Sequence, residues 1–166
     1  MDAAEQPKQA GTVTDLAGLP ALVGASLGHS DWSEMTQERV DAFAELTGDH
    51  NFIHVDAARA RETPFGGTIA HGFLTLAMLS AMAEDALPAI AGAALGVNYG
   101  FDRLRFLAPV PAGARVRGRF TLVGATQRSE REWLMNHEAI VEIEGAERPA
   151  LAARWLTMVV TAEERA

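Results

Sequence analysis

The stretch that decides the fold runs from Gly48 to Leu87 and reads GDHNFIHVDAARARETPFGGTIAHGFLTLAMLSAMAEDAL. It begins with a dense group of acidic, imidazole and amide side chains, at Asp49, His50, Asn51, His54 and Asp56. It ends in a long apolar segment that is followed by Pro88. The stretch therefore indicates polar chemistry placed beside an apolar helix.

The apolar segment from Ile69 to Leu87 predicts one continuous helix. Its side chains are apolar or small except for His71, Thr75, Ser80, Glu84 and Asp85. A helix that is apolar all round is buried in a core or in lipid. The charged residues near its ends leave fewer than the ~18 uncharged residues that a membrane span needs. We therefore expect a core helix, with Thr68 as its N-cap and Pro88 after its last turn.

Asp49 and His54 are the residues best suited to acid–base chemistry. Gly48 and Asn51 predict an irregular loop here, and a loop can bring a carboxylate and an imidazole to one point. Such a pair can hold a water molecule and move its proton, because imidazole titrates near neutrality. The start of the following helix offers free backbone N–H groups for a developing oxyanion, and Gly72 is the natural donor because it has no Cβ.

Simpler interpretations of the same residues stay open. Asp49 after Gly48 can close a turn, and Asp56 can be a helix N-cap. His50 and His54 have the spacing of metal ligands, but no third His or Cys lies nearby at ligand spacing, so we expect no metal. His71 is interpreted as a packed histidine at a helix start.

Composition bounds the class of protein. A chain of 166 residues with 48% hydrophobic residues can bury a core as one domain. A net charge of −8 argues against nucleic acid or an anionic membrane as a partner. The absence of Cys excludes a disulfide scaffold and a thiol nucleophile. The first residues, MDAAEQPKQAG, do not resemble a signal peptide, so we expect a cytoplasmic protein.

The remaining segments predict an α+β domain. Residues 1–18 are polar and are expected to be flexible, and residues 19–166 form the single domain. Thr36 is the predicted N-cap of a helix that ends at Gly48. After Pro88 the pattern becomes alternating, with strands predicted at 95–99, 104–106, 115–123, 133–143 and 151–160. Helices first and strands later are typical of an α+β fold with an antiparallel sheet.

Three ordered motifs resemble one family. The segments DHNFIH at 49–54 and IAHGF at 69–73 are similar to the D-x-N-x-x-H and [IV]-[AV]-H-G patterns of the MaoC-like (R)-specific enoyl-CoA hydratases. The segment NYGFDRLRF at 98–106 resembles the subgroup related to nodulation protein N. Phe52 departs from the pattern, because many relatives carry proline there.

The resemblance implies a hot-dog fold, in which a curved antiparallel sheet wraps a long central helix, and a homodimer. It implies that Asp49 and His54 are catalytic, and that Asn51, Gly72 and Ser80 contribute to substrate binding or support. Ser80 lies eight residues after Gly72, roughly 12 Å along a helix, so the two cannot contact the same small group. Ser80 would instead support Asp49, or its hydroxyl is simply bonded to its own helix.

The function implied is reversible addition of water to trans-2-enoyl thioesters of coenzyme A or acyl carrier protein, by a hydro-lyase that needs no cofactor. Arg103 and Arg105 are candidate contacts to the phosphates of coenzyme A, since a guanidinium group suits phosphate oxygens; a solvated strand face is the simpler interpretation. An acyl-CoA thioesterase and a non-catalytic acyl-thioester-binding protein are the alternatives.

Overall fold

The α-helices follow one another between the third and fourth strands of the chain. A computed structural model describes residues 13–162. A 3₁₀ turn at Leu19–Leu22 precedes five helices: α1 (Gln37–Thr47), α2 (Phe52–Val55), α3 (Ala57–Arg61), α4 (Gly72–Ala77) and α5 (Leu79–Ala86). Thr36 caps α1, as predicted, by accepting a hydrogen bond from the Arg39 N–H.

One six-stranded antiparallel sheet forms the other half. Its strands are β2 (Ser26–His29), β3 (Ser33–Glu34), β5 (Ala93–Phe106), β6 (Arg115–Gln127), β7 (Glu132–Ile143) and β8 (Leu151–Thr161). The order is β2-β6-β7-β8-β5, and β3 pairs with the beginning of β6. Two short strands, β1 (Val13–Thr14) and β4 (Ala89–Ile90), pair separately in parallel.

The inner face of the sheet packs on α5. From Val116 to Leu122 in β6 and from Met135 to Ile143 in β7 every second residue is buried, as the alternating sequence predicts. Gly118 allows the close approach, because a Cβ there would lie 2.8 Å from the Phe120 ring and 3.0 Å from Cβ of Met82. A helix against the inner face of an antiparallel sheet confirms the predicted α+β class and hot-dog arrangement.

The central helix differs from the prediction in four respects. It begins at Gly72 rather than Ile69, and its N-cap is His71. Thr68 does not cap it, because its hydroxyl donates to Oε1 of Gln37 at 2.6 Å. Met78 interrupts it with ψ −16°, close to 3₁₀ geometry, so α4 and α5 are separate. The helix is also not buried all round, since Phe73 is 68% exposed.

Other boundaries also need correction. Residues 1–12 of the segment predicted to be flexible lie outside the described residues, and residues 13–18 contain β1 and a turn in which Asp15 accepts from the Gly18 N–H at 2.7 Å, so the flexibility of residues 1–18 stays a prediction. The loop predicted after Gly48 contains α2, and the strands predicted at 95–99 and 104–106 are one strand, β5, with register shifts. Within residues 13–162, no helix is long and apolar enough to cross a membrane.

Candidate active site

The end of α1 places Asp49 at the site. Gly48 ends the helix with φ 75°, a left-handed conformation that favours glycine, and its N–H donates to the Ala44 carbonyl at 2.8 Å. The chain therefore reverses immediately before Asp49, whose carboxylate is exposed at the edge of the site.

His54 is held by the one-turn helix α2. Asn51 caps α2 through its side-chain oxygen, which accepts from the Ile53 N–H at 3.4 Å. His54 is 7% exposed, and its Nδ1 lies 2.7 Å from the Ile69 carbonyl. A carbonyl oxygen only accepts, so Nδ1 carries the hydrogen and Nε2 has a free lone pair. This is the tautomer that a proton acceptor needs.

His71 is the residue that sequence reasoning undervalued. Its ring is 2% exposed and is stacked on the His54 ring, with centroids 3.7 Å apart and an interplanar angle of 27°. Its Nε2 lies 2.9 Å from the backbone carbonyl of Asp49. Its position immediately before Gly72 in the H-G motif was the available signal, but only the fold shows that it contacts both Asp49 and His54.

The three side chains form a compact triangle of donor atoms. One carboxylate oxygen of Asp49 and one ring nitrogen each of His54 and His71 lie within 4.8 Å of one another. His71 thus supplies the third candidate ligand that sequence spacing did not reveal. A carboxylate oxygen and two imidazole nitrogens are ligand types that metal ions accept, so the triangle could hold a metal ion. The absence of a metal stays a prediction.

An apolar cavity of about 370 Å³ adjoins the triangle. His54 and Gly72 line it together with Phe65, Ile69, Thr75, Phe106 and Val110. The Gly72 N–H begins α4 and has no acceptor among residues 13–162, as expected for a first-turn amide. The Phe106 ring covers Gly72, since a Cβ there would lie 3.1 Å from it. The cavity therefore offers an apolar wall, an N–H donor and an imidazole.

Ser80 is not brought to this cavity. Its hydroxyl accepts a hydrogen bond from Nδ2 of Asn98 at 3.1 Å. It lines a separate groove of about 730 Å³ between α5 and the strands β5 and β8, together with Glu84 and Trp155. The support for Asp49 expected of Ser80 is absent from the hydrogen bonds of the described residues.

Arg103 and Arg105 stand on the outer face of the sheet. Arg103 lies directly opposite Arg154, and Arg105 opposite Ala152, whereas the neighbouring Phe106 is opposite the buried Leu151. The arginines line a groove of about 320 Å³ with Glu138, which pairs with Arg154 at 3.1 Å. This groove and the His54 cavity share one lining residue, Leu107, so the two adjoin at the end of β5.

Two titratable groups on the sheet, away from this cavity, have shifted pKa values. Burial lowers the pKa of His137 from 6.5 to about 4. Burial alone would raise the pKa of Glu142, but hydrogen bonds and charges from Arg117 and Arg119 outweigh it and lower that pKa. Both shifts arise in the sheet, outside the triangle.

A helix held against an antiparallel sheet defines a hot-dog protein, and in this one a carboxylate and an imidazole lie beside an apolar cavity. Residues 19–143 match the family model described as a MaoC-like domain. The chain belongs to the MaoC-like dehydratase family.

Similar proteins agree on this family. Nodulation protein N of Rhizobium leguminosarum bv. viciae is 50% identical over 145 residues, which cover 87% of this chain and 90% of that protein. The 3-hydroxyacyl-thioester dehydratase Z of Mycobacterium tuberculosis is 43% identical over 149 residues, covering 90% and 98%. The crystal structure of the MaoC-like dehydratase from Rhodospirillum rubrum shares the fold, with a TM-score of 0.70, 18% identity and coverage of 86% and 94%.

Proposed function

We propose that this protein is a hydro-lyase that reversibly adds water across the 2,3 double bond of trans-2-enoyl thioesters and yields (R)-3-hydroxyacyl thioesters. The observation that carries the proposal is that side-chain atoms of Asp49 and His54 lie within 4.8 Å of each other, beside the cavity that His54 and Gly72 line. Relatives named as 3-hydroxyacyl-thioester dehydratase and (R)-specific enoyl-CoA hydratase support this reaction class.

In the proposed mechanism Asp49 and His54 hold the water between them. One group takes a proton as the water oxygen bonds to C3, and the other helps to deliver a proton to C2, so that one water is added in full. His54 is suited to accept, because its Nε2 lone pair is free. Electron density moves to the thioester oxygen, where the Gly72 N–H would stabilise the charge. The reaction needs no metal or organic cofactor.

The carrier would extend from the cavity over Leu107 into the arginine groove. Arg103 and Arg105 have no hydrogen bond or ion pair within residues 13–162, so their guanidinium groups are available to an anion. Phosphate oxygens fit this chemistry. The groove therefore supports a thioester of coenzyme A or of acyl carrier protein as the substrate.

We also propose a homodimer with a cytoplasmic location. β5 is the last strand of the sheet, and its exposed side chains include Leu95, Val97 and Tyr99, which are 49–56% exposed. An edge strand with such a surface is suited to pairing with a second copy.

The test is the loss of the conjugated-thioester absorbance of crotonyl-CoA on adding the purified protein. Asp49→Asn and His54→Ala should each lower kcat by ~10² or more, the scale of losing an acid–base group. His50→Ala is the matched control, because His50 is an exposed histidine of the same loop outside the triangle. A chelator should leave turnover unchanged.

Other outcomes identify the alternatives. Release of free thiol without loss of the double bond would indicate a thioesterase. Binding without turnover, for short and long enoyl chains, would contradict the enzyme and favour the acyl-thioester-binding protein.

A further inference from the structure

The loop that carries Asp49 has one long-range hydrogen bond to the rest of the protein. Within residues 13–162, the other hydrogen bonds of residues 48–51 join positions at most four apart, and four that involve Asp49, His50 or Asn51 measure 3.2–3.4 Å. The exception is the 2.9 Å contact between the Asp49 carbonyl and Nε2 of His71, 22 positions away. The position of the Asp49 backbone therefore depends on His71.

The His71 ring also packs against one face of the His54 ring. The two imidazoles are stacked with centroids 3.7 Å apart, and the Phe43 ring of α1 lies 5.0 Å from His71 at a tilt of 52°. His71 is also the N-cap of α4. One buried ring thus contacts α1, the Asp49 loop and α2, and it precedes the helix whose first residue is Gly72.

The hydrogen-bond roles of His71 follow from its partners. Nε2 faces a carbonyl, so it carries the hydrogen and Nδ1 holds a lone pair. Nδ1 is buried and has no partner among the described residues. A buried acceptor without a partner is unfavourable, so packing alone does not explain an imidazole here. The donor on Nε2 is the feature that an apolar ring of the same shape would lack.

We propose that His71 is a positioning residue, which sets the separation of Asp49 and His54 through one hydrogen bond and one stacked face. The inference rests on the proposed function for its catalytic consequence. His71 takes no proton from the substrate in this proposal. Its effect is on kcat, because a displacement of ~1 Å in a catalytic group can cost about 10² in rate.

Three substitutions separate the donor from the ring. His71→Gln keeps an N–H donor at the distance of Nε2, His71→Asn carries the same amide one methylene short, and His71→Phe keeps the ring without the donor. We expect kcat for crotonyl-CoA to fall by about 10-fold to 100-fold in the Asn and Phe variants, with KM changed by less than about 3-fold. The Gln variant should recover to within about 5-fold of the wild type.

A readout that needs no turnover accompanies the kinetics. Amide hydrogen exchange of residues 48–51 should be faster in the Asn and Phe variants than in the Gln variant, while that of α5 should not change. In the wild type, ¹⁵N-resolved NMR of the ring nitrogens should show His71 with its hydrogen on Nε2 and His54 with its hydrogen on Nδ1.

Failure of the role proposed for His71 can be distinguished from failure of the proposed function. A wild-type kcat in the Asn and Phe variants would overturn the inference. It would also be overturned if kcat fell equally in all three variants and their melting temperatures fell with it. His71 with its hydrogen on Nδ1 in the wild type would overturn it even if no variant folds. A wild type that hydrates neither short nor long trans-2-enoyl-CoA thioesters contradicts the function instead, and hydrogen exchange then still decides whether His71 holds the loop.

Discussion

Gly72 shows how little space a single residue has at the cavity. The Phe106 ring lies over its Cα, and three ring atoms would be 3.1–3.2 Å from any added Cβ. Phe106 is in turn held edge-on by Phe73, with centroids 5.9 Å apart. A larger residue at position 72 must displace an aromatic wall of the cavity.

Gly72→Ala should therefore be destabilising and should reduce kcat/KM. Overpacking of this kind typically costs about 1–3 kcal/mol, which urea unfolding would measure. Gly67→Ala is the control, because nothing lies within 4 Å of its added Cβ, and it should change stability by less than about 0.5 kcal/mol. Equal effects of the two substitutions would contradict the tight contact.

The buried ring of His137 makes the stability of the protein depend on pH. His137 is fully buried, and its pKa is lowered to about 4 from 6.5. As the pH falls, His137 therefore binds a proton in the unfolded chain before it does so in the folded protein. The stability that comes from burying the neutral ring is fully present above pH 6.5 and is lost towards pH 4. Over that range the loss is about 3 kcal/mol at about 1.4 kcal/mol per pKa unit.

The comparison with His137→Leu isolates this contribution. The variant lacks the titrating ring, so its free energy of unfolding should fall less than that of the wild type between pH 6.5 and pH 4. Denaturant titrations at several pH values give the two curves. Parallel curves would show that His137 is protonated equally in both states.

At the scale of elements, short connections decide where the functional side chains point. Sequence reasoning found α1 and its caps, because a Thr before the helix and a Gly after it have a local signature. It missed α2 and the interruption at Met78, because one-turn helices and local 3₁₀ geometry have almost no periodic signal. It also treated His71 as packing, because stacking on His54 is a contact between elements 17 positions apart.

Gly48 tests the connection between α1 and Asp49. Its φ of 75° costs a residue with a Cβ roughly 1–2 kcal/mol, and no neighbouring atom lies within 4 Å of an added Cβ, so the effect is one of backbone conformation alone. Gly48→Ala should be less stable and less active than Gly48→Asn, since Asn adopts the left-handed region more readily. Thermal unfolding and crotonyl-CoA hydration measure both effects, and identical variants would contradict the argument.

At the scale of the whole molecule, β5 is the long edge strand of the sheet. It pairs with β8 on one side only within residues 13–162. Leu95, Val97 and Tyr99 follow one another at alternate positions with about half of their surface exposed. The exposed Phe73 and Phe106 near the end of β5 extend apolar surface to the cavity, so dimerisation and the proposed active site are expected to be linked.

Val97→Lys should weaken the proposed dimer. In a symmetric dimer both protomers would bury this lysine in the interface without a partner. The dissociation constant of the dimer should therefore rise by about 10² or more. Light scattering across a dilution series would measure it. Leu46→Lys is the matched control, because Leu46 is an apolar side chain 83% exposed on α1, and a similar loss of dimer there would argue against β5 as the interface.

The sequence by itself determined the fold class and the identity of the proposed acid–base pair. Local patterns can be recognised from the sequence alone. They include the alternation in β6 and β7, the caps of α1 and the motif from Asp49 to His54. The tertiary structure alone decided that His71 holds the Asp49 loop, that Phe106 covers Gly72, that Ser80 faces a different groove and that the arginine groove adjoins the cavity at Leu107. Each of these is a contact between segments far apart in sequence, and such contacts arise only when the sheet closes around the helix.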